Sequence, residues 1–357
     1  MRVPFNNLRK YARYGRRLVS GYFQGFLYID ASHNLHLLSL ADSLGRILKT
    51  RSGISHFRTA YVGSCGLVMA NSEALVDCGF VADGFFEGGQ DDRYHPFRPL
   101  KELNPNQFDV ILLADDDEAR ETSLDRVLTT RDDLAASNCR IILLRRLFSA
   151  HYRALNRLKV GRAFSCLNIR KLCIVASCVY VTPNHGCVIE VGCYRGGTTI
   201  YVAMLQQLLG CRRRIYACDT FAGMPAATSP DLGGEFVYTS GQFTDNPQKL
   251  VVRNFAAHRV ADQITICPGL VQDTLPKLLH DEPSVAFAIA DTDQYAGTKA
   301  ALDCLLPRFD SRSMLLIDDT TVSGVQKAIQ ETLSQHPEFT HAELSRNFDI
   351  ILATKRA

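Results

Sequence analysis

The chain has 357 residues, which at roughly 150 residues per domain suggests two domains and argues against a single core. Hydrophobic residues make up 46% and charged residues 22%, a globular balance that excludes collagen-like, low-complexity and wholly disordered classes. Forty basic against 37 acidic residues leave a net charge of +3, too balanced for a protein that lives on nucleic acid. No apolar run of about 18 residues is present to span a membrane.

Residues 1–29 hold six positive charges (Arg2, Arg9, Lys10, Arg13, Arg16, Arg17) and no acid. Gly15, Ser20, Gly21, Gln24 and Gly25 interrupt any apolar core of the kind a signal peptide needs. A basic helical segment over 1–58, docked on the rest of the chain, is the expectation; an Arg-rich transit peptide is the alternative. From there, short apolar runs alternate with helical stretches twice over. The first series is Thr59–Gly63, a helix-like stretch from Val68 to Cys78, Phe80–Phe86, Phe108–Ala114 and Cys139–Leu144. The second is Cys187–Val191, Arg214–Cys218, Ile264–Cys267, Val285–Ala290 and Ser313–Ile317. Strands separated by helices imply βαβ units and parallel sheets. The fold class is therefore α/β, with two Rossmann-like doubly wound domains. The boundaries are a Rossmann-like accessory domain at 59–147, a basic helical connector at 148–185, and a second α/β domain at 186–357.

The twelve cysteines form no C-x-x-C pair, and most lie in apolar runs such as Lys171-Leu-Cys-Ile-Val-Ala-Ser-Cys178. Paired thiols for zinc are absent, and buried free thiols in a reducing cytoplasm fit the pattern. In the first half, Gly63-x-x-Gly66 follows a strand and suits a tight turn or a phosphate approach, but lacks the G-x-G-x-x-G spacing. Asp115-Asp-Asp-Glu118 reads as a helix start, where carboxylates suit the dipole. This half is assigned to assembly or substrate docking, without a catalytic role.

The chemistry concentrates in the second half. Glu190-Val-Gly-Cys-Tyr-Arg-Gly-Gly-Thr-Thr199 joins a strand to a helix over Ile200–Leu209. An acid at the strand tip with glycines beyond suits a ligand carrying an amine beside a carboxylate, held by N–H groups at the helix start. A plain βα turn is the other reading. Asp219 ends the next strand, where an acid can hydrogen-bond ribose hydroxyls. Pro268-Gly-Leu-Val-Gln-Asp-Thr-Leu-Pro276 follows the third strand, with Val271 as an apolar wall and Gln272 as a polar edge. Together the three loops favour S-adenosylmethionine over NAD. Asp291-Thr-Asp293 and Asp318-Asp319 end two further strands. If those strands are neighbours, their tips lie about 5 Å apart. Converging hard oxygens suit Mg²⁺ or another hard divalent cation; two unconnected acidic helix starts are the alternative.

Five pieces of this half, in order, resemble the macrocin O-methyltransferase family of class I, metal-dependent methyltransferases that act on sugar hydroxyls. They are Glu190-Val-Gly-Cys-Tyr-Arg-Gly-Gly, Asp219-Thr-Phe-Ala-Gly-Met-Pro225, the Pro268–Pro276 loop, Asp291-x-Asp293-x-Tyr295-x-x-Thr298 and Ile317-Asp-Asp319. The resemblance covers about 165–355 and not the N-terminal half. It implies a class I methyltransferase fold for 186–357, with Glu190, Gly192, Tyr194, Gly196, Thr198, Asp219, Thr220, Phe221, Val271, Gln272 and Asp291 around the cofactor. It further implies Asp291, Asp318 and Asp319 as metal ligands and Asp293 as the base. More distantly similar catechol O-methyltransferases use a lysine base, and that position here is Gln294. The chain departs from the family at Gln294-Tyr-Ala-Gly-Thr298, at Asp310-Ser-Arg-Ser313 where a Pro-Gly-Gly turn is usual, and at Thr320 where tyrosine is favoured.

The expected activity is methyl transfer from S-adenosylmethionine to a hydroxyl of a sugar or glycosylated metabolite, with Mg²⁺ chelating the acceptor. Met224–Gln248, rich in Gly, Pro, Ser and Thr, reads as a lid or as a plain mobile loop. A small-molecule or glycan acceptor, a homo-oligomer and no nucleic-acid partner are expected. A non-catalytic nucleotide- or sugar-binding assembly protein and an NAD-type oxidoreductase remain as alternatives.

Overall fold

The computed structural model describes residues 33–357, except 64, 66–70, 87–97, 161–164, 183, 235–236, 283, 346–348 and 357. The basic segment 1–29, Gly66 and the start of the Val68–Cys78 stretch lie outside the described residues. Helix α1 spans His33–Ser52. A four-stranded sheet follows, built from β1 (Phe57–Val62), β2 (Phe80–Phe86), β3 (Val110–Leu113) and β4 (Arg140–Leu143). All its pairs are parallel, in the order β2-β1-β3-β4. β3 is buried at every position, as expected of a run covered on both faces. Between these strands lie α2 (Ser72–Asp77), α3 (Glu118–Thr129) and α4 (Asp132–Ala135). The acidic run does start a helix: Asp117 accepts from the N–H groups of Ala119 and Arg120 at the head of α3.

Two helices, α5 (Leu144–Val160) and α6 (Ile169–Val181), lead to the second sheet. Its strands are β5 (Cys187–Val191), β6 (Ile215–Asp219), β7 (Ile264–Pro268), β8 (Val285–Ala290), β9 (Met314–Ile317), β10 (Phe339–Ser345) and β11 (Ile350–Lys355). The order is β10-β11-β9-β8-β5-β6-β7. The helices of this half are α7 (Gly197–Leu209), α8 (Gln248–Ala257), α9 (Val271–Asp281), α10 (Tyr295–Leu305) and α11 (Ser323–Gln335). The chain enters at β5, winds out through β6 and β7, then returns to β8 on the other side of β5. The switch point therefore lies between β5 and β8, where open α/β sheets bind ligands. β8 also pairs in parallel with β9, so the two acidic strand tips are neighbours. The antiparallel hairpin β10–β11 was not read from the sequence. Phe339-Thr-His-Ala-Glu-Leu-Ser345 carries too few β-branched and aromatic residues to stand out.

The two sheets share one apolar cluster. It runs from Tyr61, Phe80 and Leu112 through Leu40 and Leu44 of α1, Leu147 and Ala154 of α5, Cys173 and Ile174 of α6 and Ile200 of α7 to Val188 and Phe287. A buried polar chain crosses it. His36 Nδ1 lies 2.9 Å from His151 Nε2, and His151 Nδ1 meets the hydroxyl of Tyr201. Tyr201 donates onward to the Leu172 carbonyl at 3.2 Å, so His151 donates from Nδ1 and accepts at Nε2. Burial, with His36 adding to it, lowers the His151 pKa to about 3 and keeps its imidazole neutral. All twelve cysteines are free thiols, and of these only Cys166 is exposed. No described helix is long and apolar enough to cross a membrane.

Candidate active site

A cavity of about 350 Å³ opens over the C-terminal tips of β5, β6, β7, β8 and β9. Backbone hydrogen bonds lock these tips together. Gly192 donates to the Cys218 carbonyl at 2.8 Å, Asp291 to Val191 at 2.9 Å, Asp318 to Ala290 at 3.0 Å and Gly269 to Asp219 at 2.9 Å. Gly192 adopts φ +88°, and a Cβ there would sit 1.6 Å from the carbonyl oxygen of Asp291. This glycine lets the β5 and β8 loops touch.

Of the residues expected around a cofactor, Gly192, Tyr194, Asp219, Thr220, Val271, Gln272 and Asp291 line the cavity; Glu190, Gly196, Thr198 and Phe221 do not. Gly196 caps α7 with φ +80°, and Thr198 is hydrogen-bonded to Ser165 at 2.7 Å. Phe221 lends Asp219 its backbone N–H. Asp219 is the organiser: it accepts from the N–H groups of Tyr194 and Phe221 at 2.8 Å each, and from the Asn246 amide at 3.1 Å. Asn246 is almost fully buried and lines the cavity, and its Oδ1 has no hydrogen-bond partner among the described residues. An orphaned buried acceptor facing a cavity suits a ligand donor. Asn246 was not read from the sequence, because it lies 27 positions beyond Asp219 in an irregular segment.

Glu190 sits beneath its loop, where the Thr199 hydroxyl donates to it. Burial is the largest influence and raises its pKa to about 8, against the hydrogen bonds from Thr199 and Thr198 and with help from the charge of Asp219. A carboxyl with a folded pKa above its unfolded one contributes stability in full below the unfolded value of 4.5 and loses it as pH rises through about 8. Each unit of that shift corresponds to about 1.4 kcal/mol. Glu190→Gln fixes the uncharged form, so its urea midpoint should fall less than that of the unmodified protein between about pH 5 and pH 8. Parallel pH profiles for the two proteins would remove burial of Glu190 as the cause.

The four aspartates line the same cavity, and oxygens of Asp291, Asp293 and Asp319 lie within 4.8 Å of one another. Burial, then the charges of Asp318, Asp293 and Asp319, pushes the Asp291 carboxyl well above its usual range. Burial, then the hydrogen bond and charge of Asp319, does the same to Asp293. Asp318 rises less, to about 6, because Lys171 opposes the effect of burial. Lys171 Nζ engages Asp318 through Oδ1 and lies 3.9 Å from Asp319. The expected ligand set was Asp291, Asp318 and Asp319, so the converging trio differs from it by one member. Lys171 escaped sequence reading: it sits in the first turn of a helix legible only as an apolar, cysteine-bearing run, 147 positions from its partner. Position 294 lacks a lysine, yet a lysine reaches the carboxylates from another element.

Tyr194, Phe221, Asp293 and Asp319 have φ of 49°, 52°, 57° and 52°. Such left-handed residues cost of order 1–3 kcal/mol each and persist where surrounding structure over-determines them, often at functional sites.

A family model described as macrocin O-methyltransferase (TylF) matches residues 129–341, more than half of the chain. The match starts earlier than the resemblance over about 165–355 and adds α4, β4 and α5 to it. An 8-demethyl-8-(2,3-dimethoxy-alpha-L-rhamnosyl)-tetracenomycin-C 4'-O-methyltransferase from Streptomyces olivaceus is 28% identical over 179 residues, covering 47% of this chain and 67% of the relative. Among solved structures, the O-methyltransferase NovP is 21% identical with a TM-score of 0.42, over 57% of this chain and 80% of that one. The O-methyltransferase TomG from Streptomyces achromogenes, solved with S-adenosylmethionine, is 14% identical with a TM-score of 0.38, over 59% of this chain and 90% of that one. The chain belongs to the macrocin O-methyltransferase family and is an S-adenosylmethionine-dependent O-methyltransferase.

Proposed function

We propose that the enzyme methylates a hydroxyl of a sugar or glycosylated metabolite, using a divalent cation at its carboxylate cluster. The observation that carries this reading is the convergence of acidic strand tips inside the cavity that also holds Asp219 and Asn246. The Streptomyces relative, named for methylating a rhamnosyl 4'-oxygen, supports a sugar acceptor. The acidic site fits a hard cation: its donors are all oxygens, and most of its carboxyls are pushed upward by burial and mutual repulsion, which a cation would relieve.

Asp291, Asp318 and Asp319 would hold the ion; Lys171 engages Asp318 through Oδ1. When bound, Mg²⁺ or a similar ion lowers the pKa of a coordinated hydroxyl and orients neighbouring oxygens. Asp293 takes the proton from the acceptor hydroxyl, directly or through one water. Its burial makes it a stronger proton acceptor than an exposed aspartate. On the cofactor side, Gly192, Tyr194, Asp219, Thr220, Val271 and Gln272 would make the contacts, with Asn246 Oδ1 accepting from a donor of the ligand. Glu190, Gly196, Thr198 and Phe221 shape the loops from beneath. Alignment of oxygen, methyl carbon and sulfur supplies the rest of the acceleration.

Calorimetric titration of S-adenosylmethionine with Mg²⁺ and with EDTA tests both halves of this reading. Cofactor binding is expected in both conditions, and the saturable heat of Mg²⁺ should vanish in Asp318→Ala. Turnover of a rhamnoside acceptor should disappear in EDTA. Undiminished methylation without divalent ions would sink the metal assignment, and heat from neither ligand would sink the whole scheme.

A further inference from the structure

The segment between Met224 and Gln248 is fastened from an unexpected side. Its neck is closed by two backbone hydrogen bonds, Met224 N–H to Gln242 at 2.8 Å and Gly241 N–H to Met224 at 2.9 Å. Within it, the carbonyls of Pro225 and Tyr238 both accept from one group, the Gln294 side-chain amide, at 3.2 Å each. Gln294 is only 4% exposed, so its two donors are spent on this segment away from water. The next residue adds a second staple: the Tyr295 N–H donates to Asp231 Oδ1 at 2.7 Å. Asp231 is itself buried and closes a capping box with Thr228. It rests where a Cβ on Gly324 would come within 1.8 Å of its Oδ1. The segment is thus tied to the two residues that directly follow Asp293. The ring of Tyr238 lines the cavity, and the nearby charges of Asp293, Asp319, Asp291 and Asp318 add to burial in raising its hydroxyl pKa.

We propose that Gln294 is a positioning residue for the acceptor: its amide fixes the Pro225 and Tyr238 carbonyls, so that Tyr238 is held as part of the cavity wall it shares with Asp293. This rests on the methyl-transfer reading above and extends it to the acceptor side. One amide sets the register of two chain positions thirteen residues apart, and backbone continuity with Asp293 ties the wall to the proton acceptor. A change at position 294 therefore acts first on the acceptor's surroundings, while the hydrogen bonds that Asp219 accepts from Tyr194, Phe221 and Asn246 do not involve Gln294. The same glutamine stands where the sequence looked for a catechol-type lysine; its work is structural closure on the acceptor side.

The test is limited chymotrypsin digestion, read by mass spectrometry, with S-adenosylmethionine affinity measured on the same samples. Leu232, Tyr238 and Phe243 supply cleavage positions within the segment, and Leu232 and Phe243 are exposed already. Gln294→Met keeps the side-chain length and removes both donors; Gln294→Glu keeps the shape and sets a carboxyl against two carbonyls. Both should be cut after Tyr238 about tenfold faster, as the loss of two hydrogen bonds of modest net strength allows. Cofactor affinity should stay within about twofold, and cutting elsewhere should not change. Equal cutting after Tyr238 in all three proteins would overturn the proposal. So would accelerated cutting along the whole chain, or loss of cofactor affinity in both variants, since either makes Gln294 a residue of the general fold. Failure of the unmodified enzyme to bind S-adenosylmethionine would sink the methyl-transfer reading instead, and would leave the digestion result standing.

Discussion

Replacing Asp293 with asparagine is expected to lower turnover by about 10²–10⁴-fold, the usual worth of a positioned general base. The substitution is close to isosteric, and asparagine tolerates the left-handed backbone that Asp293 adopts at φ +57°. What it removes is the ability to take a proton. Asp293 is half-buried past the tip of β8 and takes no part in the hydrogen bonds that join Tyr194, Asp219 and Asn246, so affinity for S-adenosylmethionine should change by less than about threefold. Thermal stability should hold or rise, because one of several mutually repelling, largely desolvated carboxyls is gone. Steady-state turnover beside calorimetric cofactor affinity separates these effects. Activity within about tenfold of the unmodified enzyme would remove Asp293 as the base.

The second large effect is expected at Gly192. Alanine there meets two penalties at once: a backbone at φ +88°, and a methyl 1.6 Å from the Asp291 carbonyl oxygen. The β5 and β8 loops would have to part, and Asp291 sits on the loop that moves. A loss of about 3 kcal/mol or more is expected, with a melting temperature lower by roughly 5 °C or more. Cofactor affinity should fall as well, since the loop holding Tyr194 shifts with it. Gly241→Ala is the control. Its φ is +82°, yet nothing lies within 4 Å of the added Cβ. If both variants lose the same stability, the backbone angle alone is responsible, and close approach of the two loops counts for nothing.

Much of this architecture could be read directly from the chain. Val285-Ala-Phe-Ala-Ile-Ala290 is apolar on both faces and flanked by polar turns, and it matches the observed strand, while the Phe108–Ala114 run contains the shorter strand Val110–Leu113. Acids at strand ends were equally legible, because a parallel sheet gathers its C-terminal tips on one edge. Residues whose roles depend on distant elements were not. Lys171 looks like the polar edge of an apolar helix until the fold brings it to Asp318, the residue that follows β9. Glu190 was read as a ligand contact; it does not line the cavity and its carboxylate accepts from the Thr199 hydroxyl, a side-chain direction that spacing does not encode. Gln294 was legible as a departure from the family, and its partners Pro225 and Tyr238 were not, since they sit 69 and 56 positions away. The hairpin β10–β11 was missed because β10 carries few strong β-formers, which left the Ile350–Lys355 run without a recognisable partner.

The apolar cluster shared by both sheets makes the small sheet more than an appendage. Ser177 of α6 reaches the Leu40 carbonyl of α1 at 3.4 Å, and one and a half turns earlier the same helix carries Lys171 to Asp318. Packed interiors transmit displacement because they have little slack. α6 touches α1 at one position and the carboxylate cluster at another. The hold on Asp318 is thus built into the same packed interior that seats the small sheet.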